Sequence, residues 1–264
     1  MVDWIDFLGM QRTANPRRWL LPVTDAVTGG AGQLFGGCGF GGAAALLEQL
    51  TGKPVAWATA QFLSNAFPPE ELQLQAEVPV EGHNFSQARV VGRVGDREIF
   101  TVLAALGSKR FDGSGRWRVM PDVPAPQLCS PSTVFGPQPG GLSRRLERRV
   151  AVGPWGDEES SPCGTMRIWV RLPDELVGTT VGLCIAADFL PMGLRAAIGR
   201  PLFGASLDNT VRFVGRAATE WVLADMQMDT LVDGVGHGSV QLFSAAGELL
   251  AIASQSCAMR EMPD

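Results

Sequence analysis

The 264-residue chain has no tyrosine and only two histidines, His83 and His237. No CxxC occurs, so a zinc site is not expected, and no metal is called for. Five cysteines (Cys38, Cys129, Cys163, Cys184, Cys257) make an odd set at irregular spacing. That argues against a disulfide framework and for reduced thiols, hence a cytoplasmic compartment. Basic charge is scarce as well: 22 Lys and Arg face 27 Asp and Glu, for a net charge of −5. Nucleic acid is therefore not an expected partner, because phosphate binding needs clustered cations. Only Arg144-Arg145-Leu-Glu-Arg148-Arg149 is locally basic, and it reads as a solvated helix face. No continuous apolar run reaches the ~18 residues of a membrane span. The acidic start, Met1 to Asp6, has no basic n-region, so no signal peptide is expected. GxxxxGK[ST] and GxSxG are both missing, which excludes a phosphate loop and a nucleophile elbow.

What is present suits a large core: 45% of residues are apolar and 19% charged. Residues 1–35 read as an entry segment that docks through Trp4, Phe7, Leu8 and Trp19. Leu34 to Gly42 is the most glycine-dense stretch and opens a helix that Thr51-Gly-Lys-Pro54 stops. Glycines at a helix start imply a close approach, by a sheet or by a ligand held on free amides. Strands are expected at Val55–Leu63 and Leu72–Val78, then as a hairpin of Phe85–Val94 and Ile99–Leu106. The first hundred residues thus read as one helix followed by an antiparallel meander, an α+β unit. Residues 108–165 lose periodicity and gain Pro and Gly, as a linker does.

The pattern then returns. Met166–Leu172 reads as a strand, Pro173 opens a second helix that runs to Ala187, and Asp188 ends it. Strands follow at Ala205–Phe213, Thr219–Met226, Gly238–Phe243 and Leu249–Met259. The strand at Gly204–Phe213 places Ser206 and Asp208 two residues apart, which predicts a shared face. Matching glycine hairpins, around Gly95 and Gly247, close each half. The expected organisation is a duplication: residues 1–107, a linker at 108–165, and residues 166–264. Superposing those hairpins sets Leu103 opposite Gln255.

Three stretches give the chain a likeness. Leu34-Phe-Gly-Gly-Cys-Gly-Phe-Gly-Gly-Ala is a glycine entry to a central helix. Glu81-Gly-His-Asn-Phe-Ser-Gln-Ala-Arg-Val-Val is the second stretch. Gly204-Ala-Ser-Leu-Asp-Asn-Thr-Val-Arg-Phe, with Glu220-Trp-Val-Leu and Ala251-Ile-Ala-Ser-Gln255, is the third. With these the chain resembles the acyl-CoA thioesterase II (TesB-like) family. The resemblance implies a double hotdog, two tandem helix-wrapped antiparallel sheets in one chain, and hydrolysis of acyl-CoA without a cofactor. It assigns the water-holding acid, hydroxyl and amide to Asp188, Ser206 and Gln255. Asn209 departs from it, standing where the family usually has His, and Ser256-Cys257 replaces Glu-Gly.

A thioester needs a positioned water, a proton acceptor and oxyanion donors. Asp188, in apolar company at a helix end, should have a raised pKa and serve as the acceptor. Backbone amides of Gly37 and Cys38 are the candidate oxyanion donors, and Asp208 is either a second acid or structural. The catalytic side chains Asp188, Ser206 and Gln255 are expected in the later half only, with the first half completing the acyl tunnel. Strand-edge pairing predicts a homo-oligomer, most simply a dimer. Alternatives are a non-catalytic acyl-CoA-binding or assembly protein and, on the same fold, an enoyl-CoA hydratase, which needs an Asp–His pair.

Overall fold

A computed structural model describes residues 3–131, 141–153, 160–161 and 163–261. In chain order the elements are α1 (Trp4–Leu8), β1 (Gln11–Arg12), β2 (Arg18–Pro22), α2 (Gly36–Thr51), β3 (Val55–Phe62), β4 (Glu71–Glu81), β5 (Phe85–Val94) and β6 (Arg97–Gly107). Then come β7 (Ser130–Pro131), β8 (Glu147–Val152), β9 (Thr165–Arg171), α3 (Thr180–Ala186), α4 (Leu190–Ile198), β10 (Leu202–Phe213), β11 (Trp221–Val232), β12 (Val235–Ser244) and β13 (Leu249–Glu261).

The strands form one antiparallel sheet in the order β1-β2-β4-β5-β6-β3-β10-β13-β12-β11-β9-β8-β7. Read from its two ends the sheet repeats itself. β2-β4-β5-β6-β3 mirrors β9-β11-β12-β13-β10, and the halves meet where β3 pairs antiparallel with β10. In each half a central helical segment follows the first strand: α2 after β2, and α3 with α4 after β9. The class is α+β with two tandem helix-wrapped antiparallel sheets, as the resemblance implies.

Four expectations need correction. The first half has a further long strand beyond the four expected, because Arg18–Pro22 inside the supposed entry segment pairs with β4. The first half is no meander: β3 crosses to the far side of β6. The span 108–165 is more than a linker, since β8 pairs with β9 and β7 with β8. Its residues 132–140, 154–159 and 162 lie outside the described residues. The second helix starts at Thr180 rather than at Pro173, with the Thr179 hydroxyl accepting the Gly182 N–H at 3.0 Å, and a further helix, Leu190–Ile198, fills the stretch between Asp188 and the next strand.

The central helices touch through small residues. A Cβ at Gly37 would sit 2.8 Å from the Cys184 carbonyl oxygen, and one at Gly41 would sit 2.9 Å from the Val181 Cα. One glycine face, at i and i+4, therefore lets α2 and α3 approach backbone to backbone. Residues 180–198 are apolar enough over 19 residues to cross a membrane by length and composition, yet 78% of that apolar window is buried in the fold. The stretch is also broken at Asp188, so it is a core helix pair. Both outer edges of the sheet are two-residue strands, which leave little ladder for edge pairing.

Candidate active site

The site forms where α3 breaks. Pro191 has no N–H to donate, and its ring would clash with the carbonyl of Ala187 in a continuous helix. α3 therefore ends at Ala186 with Ala187 as its C-cap, Asp188 turns out of the helix line, and α4 begins at Leu190. α2, for its part, starts at Gly36, and Phe35 at its N-cap position offers no side-chain cap. Asp188 supplies one from 151 residues away: its Oδ2 accepts the Gly37 N–H at 2.7 Å. The first amides of a helix carry partial positive charge, so the carboxylate sits at a favourable helix end. Gly36 has to be glycine here, since a Cβ would lie 2.8 Å from that same Oδ2.

The other carboxylate oxygen, Oδ1, accepts from Gln255 Nε2 at 2.5 Å and from Asn209 Nδ2 at 3.2 Å. Gln255 Nε2 also reaches Ser206 Oγ at 2.7 Å. Asp188, Asn209 and Gln255 are all buried. Burial pushes the Asp188 pKa up to about 6, against the lowering pull of bonds from Gly37, Gln255, Asn209 and Ser206. Asp188 and Ser206 face a cavity of about 310 Å³ whose walls include Phe35, Gly36, Phe62, Phe100 and Phe189. Gln255 and Asn209 stand behind them and hold them.

The structure thus brings together Asp188, Ser206 and Gln255, and adds Asn209. It separates Asp208. The β10–β13 register shifts between Ser206 and Asp208, so a bulge at Leu207 breaks the alternation on which their shared face was predicted. Ser206 and Asn209 end up on the acid's side instead. The Asp208 carboxylate accepts the Ser256 N–H at 2.7 Å. The two amides expected as oxyanion donors are both engaged: Gly37 with Asp188, and Cys38 with the Phe35 carbonyl at 3.0 Å. The Gly36 amide, one residue earlier, lies on the cavity wall and makes no hydrogen bond to a described residue. Burial, with the Asp188 charge, pushes the Cys38 thiol far up, which leaves it protonated and inert. His83 and His237 are exposed, bonded to Asn84 and Ser256, and neither lines the cavity. Leu103 is exposed on the outer face and matches Ser254 rather than Gln255, because the bulge falls four residues after Gly95 in its hairpin and three after Gly247 in the other, and a one-residue offset flips the face.

A tandem pair of helix-wrapped antiparallel sheets, with a buried acid held by amides beside an apolar cavity, is a double-hotdog architecture. A sequence model described as the acyl-CoA thioesterase C-terminal domain matches residues 125–259, about half of the chain. Among solved structures, one from Novosphingobium aromaticivorans named as a thioesterase is 32% identical, with a TM-score of 0.85 over 94% of this chain and 97% of that one. The chain belongs to this acyl-CoA thioesterase family, and it is a thioester hydrolase. More distant structures share the fold. A tesB protein of Mycobacterium avium subspecies paratuberculosis is 19% identical (TM-score 0.79, 97% of this chain and 98% of that one). A hot dog protein from Alicyclobacillus acidocaldarius is 18% identical (TM-score 0.83, 98% of each chain). A comparison with curated protein sequences finds no match.

Proposed function

We propose that the chain hydrolyses acyl-CoA to a free carboxylic acid and CoA, with a water held between Asp188 and Ser206 at the cavity wall. The carboxylate takes the water's proton as the oxygen attacks the thioester carbonyl. Gln255 spans Asp188 and Ser206 through one amide nitrogen and so fixes both at once. Asn209 adds a second donor to the same carboxylate oxygen. The Gly36 amide is the candidate donor for the oxyanion of the tetrahedral intermediate. Collapse of that intermediate expels the thiolate, which recovers the proton from Asp188.

The observation that carries this reading is the buried carboxylate with its pKa near 6, bonded to the Gly37 amide and two side-chain amides and facing an apolar cavity beside a hydroxyl. A base poised near neutrality can take a proton at working pH and return it. A hydratase with an Asp–His pair is not favoured, because both histidines lie away from the cavity.

Thiol release from a panel of straight-chain acyl-CoAs tests the proposal. Asp188→Asn and Gln255→Ala should each lower kcat by about 100-fold or more, within the range general bases contribute. Wild-type turnover surviving both substitutions would place the water elsewhere. Tight acyl-CoA binding with no release at any chain length would favour a binding protein.

A further inference from the structure

One glycine face of α2 meets α3, and a second glycine face points elsewhere. Gly36 and Gly39 stand three residues apart and so share a side of the helix, which faces the sheet of the first half. A Cβ at Gly36 would lie 3.0 Å from Phe62 Cζ, and one at Gly39 would lie 2.8 Å from Phe100 Cε1. Across the sheet the same rings form a row. Phe62 of β3 is directly opposite Phe100 of β6, and Phe100 is directly opposite Gly92 of β5. Directly paired residues share a face, so all three lie on the face that α2 covers.

Both rings line the cavity, Phe62 beside Gly36 and Phe100 one strand further into the first half. Phe100 is buried, 1% exposed. Its ring lies over Gly92, where an added Cβ would meet three ring atoms at 2.8 to 3.1 Å, and Gly39 closes on it from the helix. Glycine at both positions is what admits a ring there, and a larger side chain at either one displaces it. Beyond Gly92 the row continues with Leu74 of β4, fully buried. The open side of the Phe100 ring is thus the cavity side. The passage between α2 and the sheet ends at this ring for want of space and not because its walls turn polar, since a glycine and a leucine lie behind it.

We propose that the acyl chain runs from Asp188 past Phe62 and stops against Phe100, which makes Phe100 the residue that limits acyl length. That the ligand is an acyl thioester rests on the thioesterase reading. Each methylene buried short of the ring adds about fourfold in affinity. A methylene beyond that point has to displace the ring or stay in water, so it adds nothing.

Calorimetric binding of non-hydrolysable S-alkyl-CoA thioethers, from S-butyl to S-dodecyl in steps of about two carbons, reads the limit. Wild-type affinity should rise about tenfold per step and then level off. Phe100→Ala should carry the rise about one step further. Phe100→Leu should move the limit the same way by less, and it serves where the alanine variant does not fold. Gly92→Ala presses the ring into the cavity and should end the rise about one step sooner. A limit that stays in place in a folded variant at either position overturns the proposal, as a chain lying along the second-half wall, by Met192 and Phe203, would give. A wild-type affinity that still climbs at S-dodecyl overturns it as well. Thiol release from the matching acyl-CoAs reads the hydrolysis separately. A length limit that moves with Phe100 but no turnover sinks the hydrolysis and keeps the stop, and turnover with an unmoved limit does the reverse.

Discussion

Asp188 is the residue on which both the chemistry and the pH behaviour depend. Its pKa is raised from 3.8 to about 6 by burial. Only the carboxylate form can accept the water's proton, so kcat should climb through about pH 6 and level off above it. The same shift acts on stability in the opposite sense. Between the two values the folded chain binds the proton and the unfolded chain does not, so stability falls as pH rises through that window. At pH 7 the ionised buried group costs up to about 3 kcal/mol relative to its protonated form. Thermal melts from pH 7 to pH 5 should therefore show a gain in wild type that Asp188→Asn lacks, and equal slopes would contradict the shift. Asn209 belongs to the same argument. Asn209→Leu removes a donor from Oδ1, so the pH–rate midpoint should move upward and kcat fall by about tenfold with KM unchanged. A purely structural Asn209 would lower the melting temperature and leave the midpoint in place. The acid, hydroxyl and Gln255 were legible as types in a familiar pattern. Asn209 and Gly36 were not, because alternation along a strand hides a bulge, and helix glycines do not announce which amide is taken.

At the scale of elements, site geometry depends on how closely α2 and α3 pack. Gly41 is remote from the carboxylate but touches the α3 backbone, where a Cβ would lie 2.9 Å from Val181 Cα. Gly41→Ala should push the helices apart, cost about 1–3 kcal/mol, and loosen the Gly37–Asp188 bond at the far end of the contact. Differential scanning calorimetry and kcat should fall together, and a stable variant with a normal kcat would show that the helices can give. The sequence showed these glycines and the need for a close approach, but left open whether a sheet or a ligand was the neighbour. It also hid β2 and β8. Arg18–Pro22 is only five residues long, and its ladder partner β4 lies about fifty residues downstream. Glu147-Arg-Arg reads as surface because its side chains are charged, although Val150 of the same strand is buried in the core. Strand identity in both comes from pairing across the sheet, which no local window reports.

For the whole molecule the question is whether the two halves are separable. They share a sheet through β3 and β10, with the Thr59 and Thr210 hydroxyls bonded at 2.7 Å across that seam. Their central helices share the capping carboxylate. At the opposite end of α2, Glu48 closes the joint: it accepts the Val55 N–H and the Thr180 hydroxyl, each at 2.8 Å, and pairs with Arg216. Val55 lies in the first half, Thr180 and Arg216 in the second. One side chain therefore ties the start of α3 and the loop after β10 to the end of α2. Removing it leaves a partly buried amide and hydroxyl without an acceptor, a loss of about 1–3 kcal/mol. The Arg216 share is the smaller part, since that side chain is 35% exposed and screened by water. Glu48→Ala should accordingly lower the melting temperature by about 2–4 °C per kcal/mol lost. Wild type should unfold in a single transition, with calorimetric and van't Hoff enthalpies in agreement. If the halves were independent, Glu48→Ala would split the melt into two steps, and so would wild type at low denaturant. Two steps in wild type would also mean that Asp188 can lose its Gly37 partner while the later half stays folded, a state with the acid present and its cap gone.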